Sequence, residues 1–186
     1  MGQTVNKSDP YRKVWWRGHQ FDNRTVSALQ WAEKKFLAED KRRAPFKVGQ
    51  GSWSSADASA GTHSQGSAVD LMFAGVSPKD RAATVKWLRR AGFAAWARVG
   101  PIWGTNNDHA HGILLGGTNA SPEAKAQMAS YLAHRNGLAD NAYDRTPRPP
   151  IRRRWNHRLR RPVLYPLPGQ KLTPHQKKLL PPRPRP

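Results

Sequence analysis

The feature that most limits this chain is the crowding of its positive charge and its prolines into one end. Residues 143–186 hold 13 Lys or Arg against one acidic residue, and 11 of the 16 prolines. Stretches such as "RTPRPPIRRRWNHRLRRP" and "LLPPRPRP" repel themselves and bury little apolar surface, so disordered or extended structure is expected there. The folded part is accordingly expected to end near Ala142. Residues 1–142 then form one domain, of a size that suits a single core of roughly 100–150 residues, and residues 143–186 form a basic Pro/Arg-rich tail.

Cysteine is absent from the sequence. That excludes disulfides, thiolate metal sites and cysteine nucleophiles, and it restricts the ligands of any metal to His, Asp or Glu. No run approaches the roughly 18 apolar residues of a membrane span, and the start "MGQTVNKSDPYRK" lacks the apolar centre of a secretory signal. It also has Asn6 where a myristoylation site needs Ser or Thr. The expectation is synthesis in the cytoplasm, with any action outside it depending on release or carriage.

Periodicity within residues 1–142 predicts a mixture of helix and strand. Val26, Leu29, Ala32 and Phe36 recur at helical spacing over 23–37. Phe46 to Val48 reads as a short strand, and "SAVDLMF" as a buried strand with Ala68, Asp70 and Met72 on one face. Ser77-Pro78-Lys79-Asp80 opens a helix by capping-box chemistry and Gly92 closes it. Strands follow at Phe93 to Val99 and at His109 to Leu115. Ser121-Pro122-Glu123 opens a last helix, for which Gly137 is expected to be the left-handed cap. The fold class expected is α+β, with a small antiparallel sheet carrying the candidate site and helices flanking it.

Two stretches carry the chemistry. "GTHSQGSAVDL" places His63 in a Gly-rich loop that feeds the strand of Asp70, and an aspartate among apolar residues is costly to bury unless it is paired, hydrogen-bonded or metal-bound. In "NNDHAHGILL", alternation turns both His109 and His111 to one face, and this alone does not choose between them as ligands. Two histidines and a carboxylate with an open fourth position match a catalytic zinc site better than a closed structural one. Asp108, three residues before His111, is then the expected acid/base.

"HSQGSAVD" resembles the HxxGxAxD signature of the zinc peptidases that include D-Ala-D-Ala carboxypeptidases, dipeptidases and L-alanyl-D-glutamate endolysins. "DHAH" resembles their second element, an acid three residues ahead of a histidine. The resemblance implies the Hedgehog/DD-peptidase architecture, with His63, Asp70 and His111 as zinc ligands and Asp108 as catalytic acid/base. It implies hydrolysis of the peptide part of peptidoglycan, by an endolysin or a bacteriophage lysin carried in the virus particle. This chain has Gly61 where many relatives have Ser, and Gly112 where many have an aromatic residue. Gln50, Ser52 or Trp53 stands where relatives carry an arginine for the attacked carbonyl. His109, on the same face, is the candidate for that oxyanion role. Trp53, Trp96 and Trp103 are candidates for the cleft wall, with core packing expected for at least one.

The tail is expected to bind polyanions through counterion release: teichoic acid, lipopolysaccharide or nucleic acid. "IRRRWNHRLRRPVL" also reads as a short amphipathic helix for a membrane surface. For a wall hydrolase, adhesion to an anionic envelope polymer is the economical reading. Two other classes are a non-catalytic wall-binding module and a basic nucleic-acid-binding or structural virion protein with a vestigial metal site.

Overall fold

Residues 9–54, 60–104, 106–149, 153–164 and 171–174 are described by a computed structural model of the chain. It begins with a hairpin that periodicity did not suggest, β1 (Lys13–Trp16) against β2 (His19–Asp22). Its two-residue turn places both Arg17 (φ 52°) and Gly18 (φ 79°) in the left-handed region. That geometry matches strand twist, and glycine supplies half of it without strain.

Helix α1 (Asn23–Glu39) starts directly from β2, because the Asp22 carboxylate accepts the backbone N–H of Thr25 at 2.6 Å. Strand β3 (Val48–Gln50) and strand β4 (Ala68–Met72) follow. Ser77 caps α2 (Pro78–Ala91), and Gly92 ends it at φ 104°, as the sequence predicts. Next come β5 (Phe93–Arg98), a 3-10 turn (Pro101–Trp103), β6 (His109–Leu114) and α3 (Pro122–Leu132), the last capped by Ser121.

The expected role of Gly137 does not hold. Helix α3 stops at Leu132, and His134 takes the left-handed conformation with φ 62°. Gly137, itself at φ 69°, passes close under Trp96, where an added Cβ would lie 3.2 Å from the indole.

Antiparallel pairing orders the main sheet β3-β4-β6-β5. One face presents Val69, Leu71, Phe73, Phe93, Ala95 and Ala110 to α1 and α2, forming the larger core. On the other face Ala68, Ala94, Trp96 and Ile113 pack under α3 through Ala124, Met128 and Tyr131. Asp70, His109 and His111 occupy that second face toward its other end, by strand alternation. The protein is therefore α+β, with three helices among the described residues around small antiparallel sheets. No helix among the described residues is long and apolar enough to cross a membrane.

The segment after Ala142 departs from expectation over residues 143–149 and 153–164. Strands β7 (Arg153–Asn156) and β8 (Arg161–Leu164) form a hairpin, not an amphipathic helix or a disordered tail. Trp155 is 3% exposed, joins the larger core, and meets Trp31 edge-on at 6.5 Å. Upstream, Asp144 accepts from the buried Arg89 guanidinium at 2.7 Å, and Arg89 also donates to the carbonyls of Thr146 and Pro147. Packing thus continues past the boundary expected near Ala142. The physical reason is that a few apolar residues, Trp155, Val163 and Leu164, are buried and anchor the hairpin, while Arg154, Arg160 and Arg161 stay exposed. The Pro-rich end "LLPPRPRP" lies outside the described residues.

Candidate metal centre

The site is assembled from a loop and two central strands. Register sets Asp70 of β4 directly opposite His111 of β6, and His111 opposite Trp96 of β5. His63 enters from the loop 60–66. The β1–β2 hairpin helps to place it: Ser52 donates its N–H to Gln20 at 2.8 Å, which fixes Gly51, and the Gly51 carbonyl lies 2.8 Å from His63 Nδ1. Gly51 has no room for a side chain, since a Cβ would come within 2.6 Å of His19. With Nδ1–H donated to that carbonyl, His63 turns the lone pair of Nε2 toward Asp70.

Three donor atoms converge. His63 Nε2 is 3.3 Å from Asp70 Oδ2 and 3.4 Å from His111 Nδ1, which is 2.7 Å from Asp70 Oδ1. One ligand atom from each residue lies within 4.8 Å of the others, a group able to hold a metal ion. A tetrahedral ion with bonds near 2.0 Å requires its ligand atoms to be about 3.3 Å apart. The two edges at His63 Nε2 match that spacing, whereas the 2.7 Å edge between His111 Nδ1 and Asp70 Oδ1 is a hydrogen bond that an ion would replace. His63 and His111 are buried, at 1% and 6% exposure.

Protonation suits the same role. Burial disfavours the charged form of His111 and, despite the Asp70 carboxylate, lowers its pKa below the usual imidazole value. For Asp70, burial works against ionisation, but His111 and His63 outweigh it and hold the carboxyl well below the usual range. Near pH 7 His111 is therefore a neutral imidazole beside the Asp70 carboxylate, the forms in which these two residues bind metal. His111 Nε2 is buried without a hydrogen-bond partner among the described residues.

His109 faces the same space, its Nε2 3.8 Å from Asp70 Oδ1. Its Nδ1 lies 2.6 Å from the Asn107 carbonyl, so that nitrogen carries the proton and Nε2 is left as an acceptor. The Trp103 ring meets it edge-on at 5.4 Å.

Asp108 is not brought to this group. Its backbone carbonyl pairs with Phe73, which places its side chain on the α2 face of the sheet, opposite to His109. There Oδ2 accepts from Arg81 at 2.7 Å and Oδ1 from the Gly100 N–H at 2.9 Å. The carboxylate lines a separate hollow of about 490 Å³ with Arg81, Gly100 and Asn106. The Gly100 N–H and Arg81 hold its pKa below the ordinary value. A proton carrier at neutral pH needs the opposite shift. The expected acid/base role for Asp108 thus has no geometry here, because an offset of three along a strand changes face.

The three tryptophans separate. Trp96 is buried, stacks on His111 at 6.2 Å and donates its indole N–H to Arg135. Trp103 borders His109. Trp53 packs over Gly66, where a Cβ would lie 2.8 Å from its ring. The candidates for carbonyl binding are engaged elsewhere: Gln50 donates to Ser54 Oγ, and Ser52 Oγ donates to the Ala68 carbonyl.

Arg98 was missed by sequence reasoning. It pairs opposite His109 and shares a face with Trp96, at 4% exposure. Burial lowers its pKa to about 10, which still leaves it charged, and Asp70 is the anion acting on it most strongly. The alternation Ala94, Trp96, Arg98 beside His109 and His111 was the available signal.

Comparison with protein-family models, with curated proteins and with solved structures finds no match for this chain, so the assembled residues are the ground on which a function is argued.

Proposed function

We propose that this protein is a zinc-dependent peptidase that hydrolyses amide bonds in the stem peptides of peptidoglycan, acting as an endolysin or a virion-carried lysin. The observation that carries the reading is the convergence of one ligand atom each from His63, Asp70 and His111 within 4.8 Å of one another. The order of these residues along the chain and the "HSQGSAVD" spacing resemble those of the zinc D-Ala-D-Ala carboxypeptidases and L-alanyl-D-glutamate peptidases. Gly61, one departure from that pattern, has a local cause: φ is +75° and a Cβ would press on the Glu123 carboxylate at 3.0 Å.

His63, Asp70 and His111 are the residues that would hold the ion. A zinc ion in such a site lowers the pKa of a water to about 7 and polarises a bound carbonyl. The remaining steps belong to the chain. His109, with Nε2 unprotonated and facing the ligands, accepts the proton of the attacking water and returns it to the amine nitrogen as the C–N bond breaks. Asn107 and Trp103 hold the ring in that orientation. This replaces Asp108, whose carboxylate is engaged with Arg81 on the other face. The basic segment would supply adhesion to an anionic envelope polymer.

The test is incubation of the full-length chain with purified peptidoglycan, zinc-loaded and after chelation. New amino termini should appear only with the metal. Saturable wall binding with no amide cleavage would reassign the protein as a non-catalytic wall-binding module. Binding to nucleic acid alone would favour the basic virion protein.

A further inference from the structure

Arg98 is a buried cation for which the fold supplies no hydrogen-bonded anion. Among the described residues its guanidinium makes no hydrogen bond or ion pair, and Nη2 is sealed from solvent without a partner. It lies instead against two indoles, 5.0 Å from the Trp96 ring centre and 5.6 Å from that of Trp103. These are the rings that flank His111 and His109. Arg89, by contrast, is matched by Asp144 at 2.7 Å, and the buried Arg24 donates to the Leu115 carbonyl. Leaving a buried charge unmatched is expensive, and such a group persists where something else completes it.

The chemistry of the completing group follows from its surroundings. A divalent ion held by one carboxylate and two neutral imidazoles keeps a net positive charge, and Arg98 adds to it. The combined field selects an anion. A guanidinium N–H donates to a carboxylate in a charge-assisted hydrogen bond, and the flanking indoles suit the apolar body of a small amino acid.

We propose that Arg98 is the specificity-determining residue of the site, receiving a carboxylate of the substrate beside the scissile amide. The inference rests on the peptidase reading and narrows it to peptides that carry a free carboxylate next to the bond cut. The charge on Arg98 fixes which end of the peptide enters, while His109 handles the proton.

The experiment is a calorimetric titration of the zinc-loaded full-length protein with N-acetyl-D-alanine and with its C-terminal amide, repeated with Arg98→Gln and Arg98→Lys. The wild type is expected to bind the carboxylate at least tenfold more tightly than the amide. Arg98→Gln should lose about 10- to 100-fold for the carboxylate and little for the amide, as for removal of a charge-assisted hydrogen bond, with one zinc per chain retained. Arg98→Lys should recover part of the loss, and it covers the case in which the Gln variant does not fold. Equal binding of acid and amide by wild type, no carboxylate binding at millimolar concentration, or full carboxylate binding by Arg98→Gln each overturns the proposal. Loss of zinc in both variants also overturns it, making Arg98 a support of the ligands. These are binding measurements, so they return an answer even if peptidoglycan is not cleaved, the outcome that would sink the peptidase reading instead.

Discussion

The two faces of the central sheet make opposite use of the same strands. Toward α1 and α2, β4 and β6 present Val69, Leu71 and Ala110, and the face is dry and apolar. On the reverse, the alternate positions carry Asp70, His109 and His111. Parity along the strand therefore separates stability from chemistry at a distance of one residue. Asp108 and His109 are the sharpest instance: they are adjacent in sequence, yet the first is locked to Arg81 and the second faces the ligands. Proximity in a motif does not put two side chains in one site.

The largest effect should come from removing a ligand. His63→Ala or His111→Ala should reduce bound zinc from about one per chain to none and abolish hydrolysis, since two protein donors hold the ion poorly. Metal content by emission spectroscopy checks this. Stoichiometric zinc in either variant would dissolve the distinction between the two faces, because the ion would then sit elsewhere.

Next in size is the contrast between neighbours. His109→Gln should keep zinc and lower turnover by about 10²–10⁴-fold, the usual contribution of a positioned proton carrier. Asp108→Asn should change turnover only a few-fold, because its effect is confined to the Arg81 contact and the Gly100 turn. A large loss in Asp108→Asn with His109→Gln nearly unaffected would mean that the loop before β6 rearranges with substrate, and that parity in the resting structure does not decide the chemistry.

Much of this arrangement was legible from short-range rules. Ser77, Ser121 and Gly92 carry local cap chemistry and stand where the sequence put them. So do the strands around Asp70 and His111, whose alternation is strict. What was missed depends on partners distant in sequence. Arg17-Gly18 is a less common turn pair than Asn-Gly, which hid the β1–β2 hairpin. The β7–β8 hairpin was masked by charge, since net positive charge speaks to solubility and partners but not to whether Trp155 finds a core. Arg98 needed the register of β5 against β6, and single-sequence reading supplies no register.

The third prediction probes the packing side, where Arg89 is matched by Asp144. Asp144→Asn should destabilise the fold by about 3–5 kcal/mol at neutral pH, the cost of stranding a buried charge, while leaving zinc binding intact. Burial works against ionisation of Asp144, but Arg148, the Thr146 N–H and Arg89 outweigh it and lower its pKa below 3.8. A carboxyl with a lowered folded pKa stabilises fully above its unfolded value and loses that contribution as pH falls through the folded one. The wild type should therefore weaken below about pH 4 through this pair, and Asp144→Asn should show a flatter acid limb in thermal melts. An identical acid limb would mean that the pair does not hold residues 143–149 to the domain.

The smallest effect expected lies at the start of α3, which covers the apolar part of the chemical face. Ser121 is fully buried, and its Oγ accepts the Ala124 N–H at 3.0 Å. Just before it, the Asn119 carbonyl accepts the Gly66 N–H at 3.1 Å, tying α3 to the loop that carries His63. Ser121→Ala removes the cap but not that tie, so stability should fall by about 0.5–2 kcal/mol in denaturant melts. Asp in place of Ser should restore most of it, because a carboxylate oxygen serves the same N–H and favours the helix N-terminus. Zinc stoichiometry should remain at about one in both variants, since the ligands are positioned by β4, β6 and Gly51, with α3 only covering the sheet beyond them. If Ser121→Ala lowered zinc affinity by more than tenfold, well beyond what its stability loss explains, the chemical face would depend on its helix for ligand geometry, and the separation of packing from chemistry by strand parity would hold for only one of the two faces.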